Sequence, residues 1–297
     1  MRFLFVDRII EQIPGQVSRG IKHITPDDHF LYPEDSGQAS FIPSLIGETL
    51  GQLAAWNVMA FNDFTARPVA GIVDSVVVHR QALLGETLLL ESFIEAVDEQ
   101  AVQYNSHAYV GDALVLEVKG AIGPLLPMND FIARAQVVQQ FKEIDRPEDW
   151  QAVKTHYIQE AAETALDLDL CAPPSLFFDQ ILAFEPGDYL TATKKISRAA
   201  GYFADHFPNK PVLPMTILLE CKINLAKAFI EESGFEACYE FQSFRKIKMN
   251  EFVYPGDQVL CQLKLGKKTE QTISITFRST VNQKRVCVAE AIFSLRS

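Results

Sequence analysis

The chain repeats itself once. Setting residue n against residue n+172 brings Asp7 onto Asp179, Pro14-Gly15 onto Pro186-Gly187, Thr25 onto Ser197, Phe30 onto Tyr202, Glu48 onto Glu220 and Leu53-Ala54 onto Leu225-Ala226. No gap is needed between residues 7 and 54, and one deletion then sets Gly85-Glu86 on Gly256-Asp257 at an offset of 171. A single Pro-Gly match is common; an ordered series is not. An internal repeat constrains the fold more than composition does, because both copies must form the same supersecondary unit.

Each copy reads alike. A strand follows the Pro-Gly turn (15–25 and 187–197), then an irregular stretch, then one long apolar helix (44–61 and 215–232). Runs rich in β-branched residues, often alternating, predict the strands 68–79, 86–97, 100–110 and 112–124, then 239–249, 258–267, 271–281 and 285–296. One helix that is apolar nearly all round, followed by antiparallel strands, predicts a sheet wrapped round a buried central helix. The division is therefore 1–126 for a first α+β domain, 127–173 for a linker with some helix that ends at Pro173-Pro174, and 174–297 for a second domain. At 297 residues both halves can bury a core.

Composition excludes several classes. No run approaches the ~18 apolar residues of a membrane span, and the start meets Asp7 too early for a signal peptide. Five cysteines (Cys171, Cys221, Cys238, Cys261, Cys287) with no Cys-x-x-Cys argue against a zinc site or a disulfide framework, and fit reduced thiols in a cytoplasmic protein. Residues 1–150 hold 10 Lys/Arg against 21 Asp/Glu, whereas 151–297 hold 17 of each. The net charge of −11 makes nucleic acid a poor partner. Lys194, Lys195, Arg198, Lys210, Arg245, Lys246 and Lys248 could receive an acidic protein partner, or form a solvated mixed surface.

Two residues carry candidate chemistry. Glu48 lies in a stretch from Ser36 to Asn62 that is otherwise uncharged, on the helix expected to be buried. Burial disfavours a carboxylate, so such a group can stay protonated and act as a general acid. The plain alternative is a Glu at a helix edge, but Glu220 recurs at the equivalent position. His206 sits in Asp205-His206-Phe207-Pro208-Asn209-Lys210-Pro211-Val212-Leu213-Pro214, where the prolines stiffen the loop. A lone His is more often structural; here the stiff frame and the following Glu favour a working role.

These residues resemble the β-hydroxyacyl-acyl carrier protein dehydratases of fatty acid synthesis. That family shows His-Phe-Pro-Gly-x-Pro-x-x-Pro-Gly, with an acidic residue 14 positions after the His, as His206 and Glu220 are spaced here. Phe3-Leu4-Phe5-Val6-Asp7-Arg8-Ile9, Pro255-Gly256-Asp257 and the Glu-x-x-x-Gln of Glu48 and Gln52 are similar to further family features. The resemblance implies a tandem (double) hotdog, each half an antiparallel sheet round one helix. It implies a pseudo-dimer within one chain, compatible with a higher homo-oligomer, and a substrate carried on acyl carrier protein or coenzyme A. No cofactor and no metal is implied. Because family sites join a His from one subunit to a carboxylate from the other, His206 should face Glu48 rather than Glu220.

The resemblance also implies roles and departures. His206 would remove a proton beside the thioester carbonyl and Glu48 would protonate the leaving hydroxyl, turning a (3R)-3-hydroxyacyl thioester into the trans-2-enoyl thioester, in fatty acid or polyketide-type synthesis. Tyr202, Phe203 and Phe207 would line the acyl tunnel, or belong to the core. In the first half Glu34 stands opposite His206, His29 is five residues early, and Ser36 and Ala39 replace Pro208 and Pro211. A second site of Glu220 with His29 would need a rearranged loop. Backbone N–H groups at a helix start would hold the enolate. The glycine position there is Pro43 in one half, leaving Ser44 as donor to the Glu48 site, and Met215 in the other. The alternatives are a decayed acyl-binding or scaffold protein, favoured by Pro43 and Met215, and a thioesterase of the wider hotdog class.

Overall fold

A computed structural model describes residues 3–25, 28–33, 39–160 (backbone alone at 159 and 160), 173, 176–197, 200–235 and 239–295. Glu34, Ser36, Cys171, Pro174, Arg198 and Cys238 lie outside the described residues. The first half runs β1 (Arg8–Ile13), β2 (Val17–His23), β3 (Leu31–Pro33), β4 (Ala39–Phe41), α1 (Pro43–Phe61), β5 (Ala66–Pro68), β6 (Ile72–Val78), β7 (Ala82–Leu83), β8 (Thr87–Val97), β9 (Ala101–Val110) and β10 (Ala113–Pro127). Two helices follow, α2 (Arg134–Ile144) and α3 (Trp150–Glu160). The second half runs β11 (Gln180–Glu185), β12 (Tyr189–Lys195), α4 (Met215–Glu232), β13 (Tyr239–Met249), β14 (Gln258–Lys268), β15 (Thr272–Val281) and β16 (Lys284–Leu295).

The repeat is physical as well as textual. In both opening hairpins the register slips at equivalent places, Ile9/Glu11 and Ile181/Ala183. Gly15 and Gly187 turn those hairpins with φ of 74° and 72°, the left-handed region that glycine enters without penalty. Asp7 Oδ2 accepts the His23 amide at 2.6 Å, and Asp179 Oδ2 accepts the Lys195 amide at 2.5 Å. Gly85 donates to the Ile24 carbonyl, as Gly256 does to that of Ile196. The glycines and aspartates of these three pairs thus do the same job in each half.

The two sheets join into one path, β1-β2-β8-β9-β10-β6-β13-β16-β15-β14-β12-β11. The join is the antiparallel pair β6–β13, with Val76 opposite Phe244 and Val73 opposite Ile247. An offset of 171 carries residues 72–77 onto 243–248, the segment they pair with, so the junction is isologous in the manner of a two-fold dimer. Helices α1 and α4 pack against each other on the inner face. Leu45, Ile46, Leu50, Leu53, Ile217, Leu218 and Phe229 on them are fully buried. α1 starts on Pro43, whose missing N–H costs nothing at a first helical position. α4 ends at Ser233 and the left-handed Gly234 (φ 66°).

The stretch after β10 covers the first half. Trp150 and Val153 on α3 pack on Ile10, Ile21 and Leu89, and the Arg146 amide donates to the Ile9 carbonyl. Among the described residues no helix is long and apolar enough to cross a membrane. Cys221, Cys261 and Cys287 are buried, and burial pushes Cys221 up to about 12 and Cys261 up to about 11.

One core residue breaks the pattern. Lys222, fully buried on α4, sends its amine to Cys287 Sγ at 2.9 Å and lies 5.9 Å from the Phe277 ring. A thiol is a weak acceptor, and burying an ammonium with so little compensation is costly. Lys222→Met keeps the side-chain volume and should raise stability by about 1 kcal/mol or more. Thermal unfolding checks this; a lowered midpoint would show that the amine supports the core.

Candidate active site between the two halves

The His206 loop is pinned on every side. The His206 amide donates to the Tyr202 carbonyl at 2.9 Å and its carbonyl accepts from Val212 at 3.1 Å. Asn209 donates to the Phe131 carbonyl, Leu213 to that of Val253, and Asp205 Oδ2 accepts the Phe3 amide at 2.7 Å. The imidazole stacks on Phe207 with ring centroids 4.1 Å apart. Its Nδ1 lies 3.0 Å from the Val212 carbonyl oxygen. A carbonyl can only accept, so Nδ1 carries the proton and the neutral ring presents Nε2 as a base. Burial pulls the His206 pKa below its ordinary value, and the Arg67 cation adds to this; the Glu48 charge and the Val212 carbonyl oppose it.

Glu48 is held from both halves. Gln52, one turn on, donates to Oε1 at 3.0 Å, and the Thr216 hydroxyl donates to Oε2 at 2.9 Å. Gln52 is itself tied to the N-terminal segment, accepting the Phe5 amide and donating to the Phe3 carbonyl. The carboxylate therefore faces the start of α4, and α4 follows directly on the His206 loop. His206 and Glu48 line one cavity of about 180 Å³. Its walls are apolar, with Val76, Val118, Phe244 and Ile247 from the joined sheets and Ile132 and Val137 from the stretch after β10.

The mirror arrangement holds Glu220. The Ser44 hydroxyl donates to Glu220 Oε2 at 2.6 Å, and the Ser44 amide also reaches this carboxyl. Ser44 and Thr216 are counterparts at offset 172, so each helix start grips the carboxylate of the other helix. Glu220 is 1% exposed, and burial holds its carboxyl above the usual range. The Tyr32 hydroxyl meets it, Asn224 donates to Tyr32, and Asn224 also donates to the Leu176 carbonyl at 2.9 Å.

Several sequence expectations change. His29 lies exposed on the surface, and Tyr32 takes the place beside Glu220 that a second site would need for it. Glu220 does not border the cavity. Ser44 borders it, but its amide and hydroxyl engage Glu220 instead of serving the Glu48 site. The helix end that meets Glu48 is that of α4, where Met215 keeps its N–H; Pro43 starts the opposite helix, so its missing N–H falls on the Glu220 side. Phe207 lines the cavity, whereas Tyr202 and Phe203, 3% and 7% exposed, are core. Sequence reasoning missed Thr216, which the 172 offset to Ser44 could have exposed. It also missed Tyr32 and Arg67; Arg67 is the lone charge between Phe64 and Val73.

Comparison with known proteins gives the family. The ApeI-like (ApeI dehydratase) family model matches residues 184–291. The 3-hydroxyacyl-[acyl-carrier-protein] dehydratase FabZ of Dichelobacter nodosus (strain VCS1703A) is 31% identical over 128 residues, which are 39% of this chain and 84% of that protein. The FabZ of Haemophilus influenzae (strain 86-028NP) is 32% identical over 127 residues, 41% of this chain and 85% of that protein. Among solved structures, an oleoyl thioesterase (putative) from Lactobacillus plantarum superimposes with a TM-score of 0.57 at 10% identity, over 95% of this chain and 97% of that one. An acyl-ACP thioesterase from Bacteroides thetaiotaomicron gives 0.53 at 12% identity, over 93% and 97%. Those likenesses show the hotdog fold over nearly the whole chain, and the sequence relatives carry the assignment further: the chain belongs to the FabZ-type dehydratase family.

Proposed function

We propose that the chain is a fused pair of hotdog units that dehydrates a (3R)-3-hydroxyacyl thioester, presented on acyl carrier protein or coenzyme A, at a single site built from both halves. The observation that carries this reading is a neutral His206, its Nδ1 proton fixed on Val212, sharing a cavity with a Glu48 held by Thr216 and Gln52. Nε2 of His206 takes the proton from the carbon next to the thioester carbonyl, and the C–H electron pair moves onto the carbonyl oxygen as an enolate. In the reactive form the His206–Glu48 pair holds one transferable proton, on Glu48; the enolate collapses to the C2–C3 double bond, the C3–O bond breaks, and Glu48 gives that proton to the departing hydroxyl, which leaves as water. The proton on His206 then returns to Glu48. The start of α4, with Met215 and Thr216, supplies a positive helix end beside the developing charge.

The apolar walls suit an acyl chain, and the filled Glu220 pocket supports one working site per chain rather than two. The decayed-binder reading draws on Pro43 and Met215; Pro43 borders the cavity, but the helix start it opens is the one that grips Glu220, and Met215 keeps its N–H at the start that meets Glu48. The likeness to thioesterases is one of fold, and nothing at the site favours hydrolysis.

The direct test incubates the protein with a 3-hydroxyacyl thioester and, separately, with its trans-2-enoyl product, following interconversion by the absorbance of the enoyl thioester. Interconversion is expected; its absence for every chain length on either carrier would sink the proposal. His206→Ala and Glu48→Gln should each lower kcat by roughly 10²–10⁴-fold, while Glu220→Gln retains most activity. A Glu220→Gln enzyme that is dead beside an active Glu48→Gln enzyme would reverse the pairing. Because burial lowers the His206 pKa, the acid limb of the kcat/KM profile should fall below the ordinary histidine value of about 6.5. Glu48→Gln removes a charge that favours the imidazolium, so an NMR titration of His206 should then move lower still; an upward move contradicts the assigned electrostatics.

A further inference from the structure

Arg67 is a cation with nothing to hold. It sits on β5 with its guanidinium carbon 3.7 Å from the centre of the Phe207 ring and 5.7 Å from that of Phe131. Its Nε is buried and has no hydrogen-bond partner, and among the described residues no hydrogen bond or ion pair engages the guanidinium. The side chain is half-buried and lines the His206–Glu48 cavity. Loss of hydration pushes its pKa down to about 9, with the Glu48 charge opposing. A guanidinium whose Nε–H is buried without an acceptor, on a half-buried side chain, is expensive to hold. Such a group is explained when a ligand brings the missing acceptor.

The position says which part of the ligand that is. Phe207, under the guanidinium, is the same ring that stacks on His206. Arg67 is also close enough for its charge to lower the His206 pKa and for the Glu48 charge to act on it. The acceptor therefore belongs at the reacting end of the substrate rather than at the tail of its acyl chain. Among the oxygens there, the thioester carbonyl is the one on which negative charge develops, and a planar cation in a water-poor cavity favours that oxygen most in the transition state.

We propose that Arg67 donates to the thioester carbonyl oxygen and stabilises the enolate formed when His206 removes the proton, working with the start of α4. This rests on the dehydratase reading for its substrate, but Arg67 can be tested apart from it. The step adds no bond and no proton transfer: the guanidinium stays charged throughout and holds the oxygen that carries the electron pair until the double bond forms.

Arg67→Gln, Arg67→Leu and Arg67→Lys are compared with the wild-type chain. Arg67→Gln and Arg67→Leu should lower kcat by roughly 10²–10³-fold with little change in KM. Arg67→Lys keeps the charge without the fork and should fall between. Removing the cation also removes a contribution that lowers the His206 pKa, so the acid limb moves up. A role exercised only through His206 would be fully recovered on the alkaline plateau, whereas a donor to substrate leaves kcat low at every pH. Thermal unfolding should show Arg67→Leu close to wild type in stability, since the ring contact with Phe207 is lost but no hydrogen bond or ion pair goes with it.

Binding of octanoate and octanamide, measured calorimetrically, supplies a readout without turnover. Wild type should prefer the anion by ~10-fold or more, about 1.4 kcal/mol, and Arg67→Gln should lose that preference. Wild-type kcat on the plateau in Arg67→Gln, an unchanged anion preference, or a marked fall in stability in Arg67→Leu would each overturn the proposal. A wild-type chain that binds octanoate through Arg67 yet turns over no thioester would sink the dehydratase reading and leave the anion site standing.

Discussion

Everything at the centre of this molecule depends on two helix starts, each holding the carboxylate of the other helix. Thr216 at the head of α4 donates to Glu48, and Ser44 at the head of α1 donates to Glu220. A helix start has unsatisfied N–H groups and a partial positive charge, so a carboxylate is its natural partner. Meeting that need reciprocally fixes how α1 crosses α4. It leaves the β6 and β13 edges free to pair with their own counterparts. The His206 loop, which runs straight into α4, is thereby carried to Glu48 and away from Glu220, although Glu220 follows it in sequence.

The symmetry of that frame makes the chemical asymmetry informative. On one side the hydroxyl and Gln52 hold the carboxylate against an open cavity with a histidine and an arginine. On the other, Tyr32 and Asn224 close round Glu220, and burial holds its carboxyl above the usual range. Carrying both copies of the sequence repeat in one chain allows this division. In a true homodimer any change to one site is forced on the other, whereas here one half can keep the His loop and the other can turn its pocket into packing. The costly groups, Arg67 and the buried His206, both lie on the cavity beside Glu48.

Much of the fold was legible because it is written twice. The hairpin turns, both long helices and the later strands follow from matched glycines, aspartates and apolar runs, and the offset alone places Glu48 and Glu220 at equivalent points. The pairing of His206 with Glu48 came from family resemblance. What could not be read was direction. Which helix start meets which carboxylate depends on the crossing of α1 and α4, so the sequence alone does not show that the start formed by Pro43 and Ser44 borders the cavity yet engages Glu220. Tyr202 and Phe203 looked like tunnel wall because they flank His206, but the tight turn over Gly201–Ala204 packs them into the core. Arg67 is brought to the cavity by β5 pairing with the far end of β10, Arg67 against Leu126, a contact with no local signature.

The account stands on His206 and Glu48 acting as one unit across the two halves. A double-mutant cycle on kcat tests this most directly, with His206→Ala, Glu48→Gln and the pair of changes together, against a control cycle of His206→Ala with Glu220→Gln. Groups that act as a unit are strongly non-additive. The double variant should therefore be no slower than the worse single variant, and the control cycle should show no coupling. Losses that multiply in the first cycle, or coupling that emerges only in the second, would contradict a single site built from both halves.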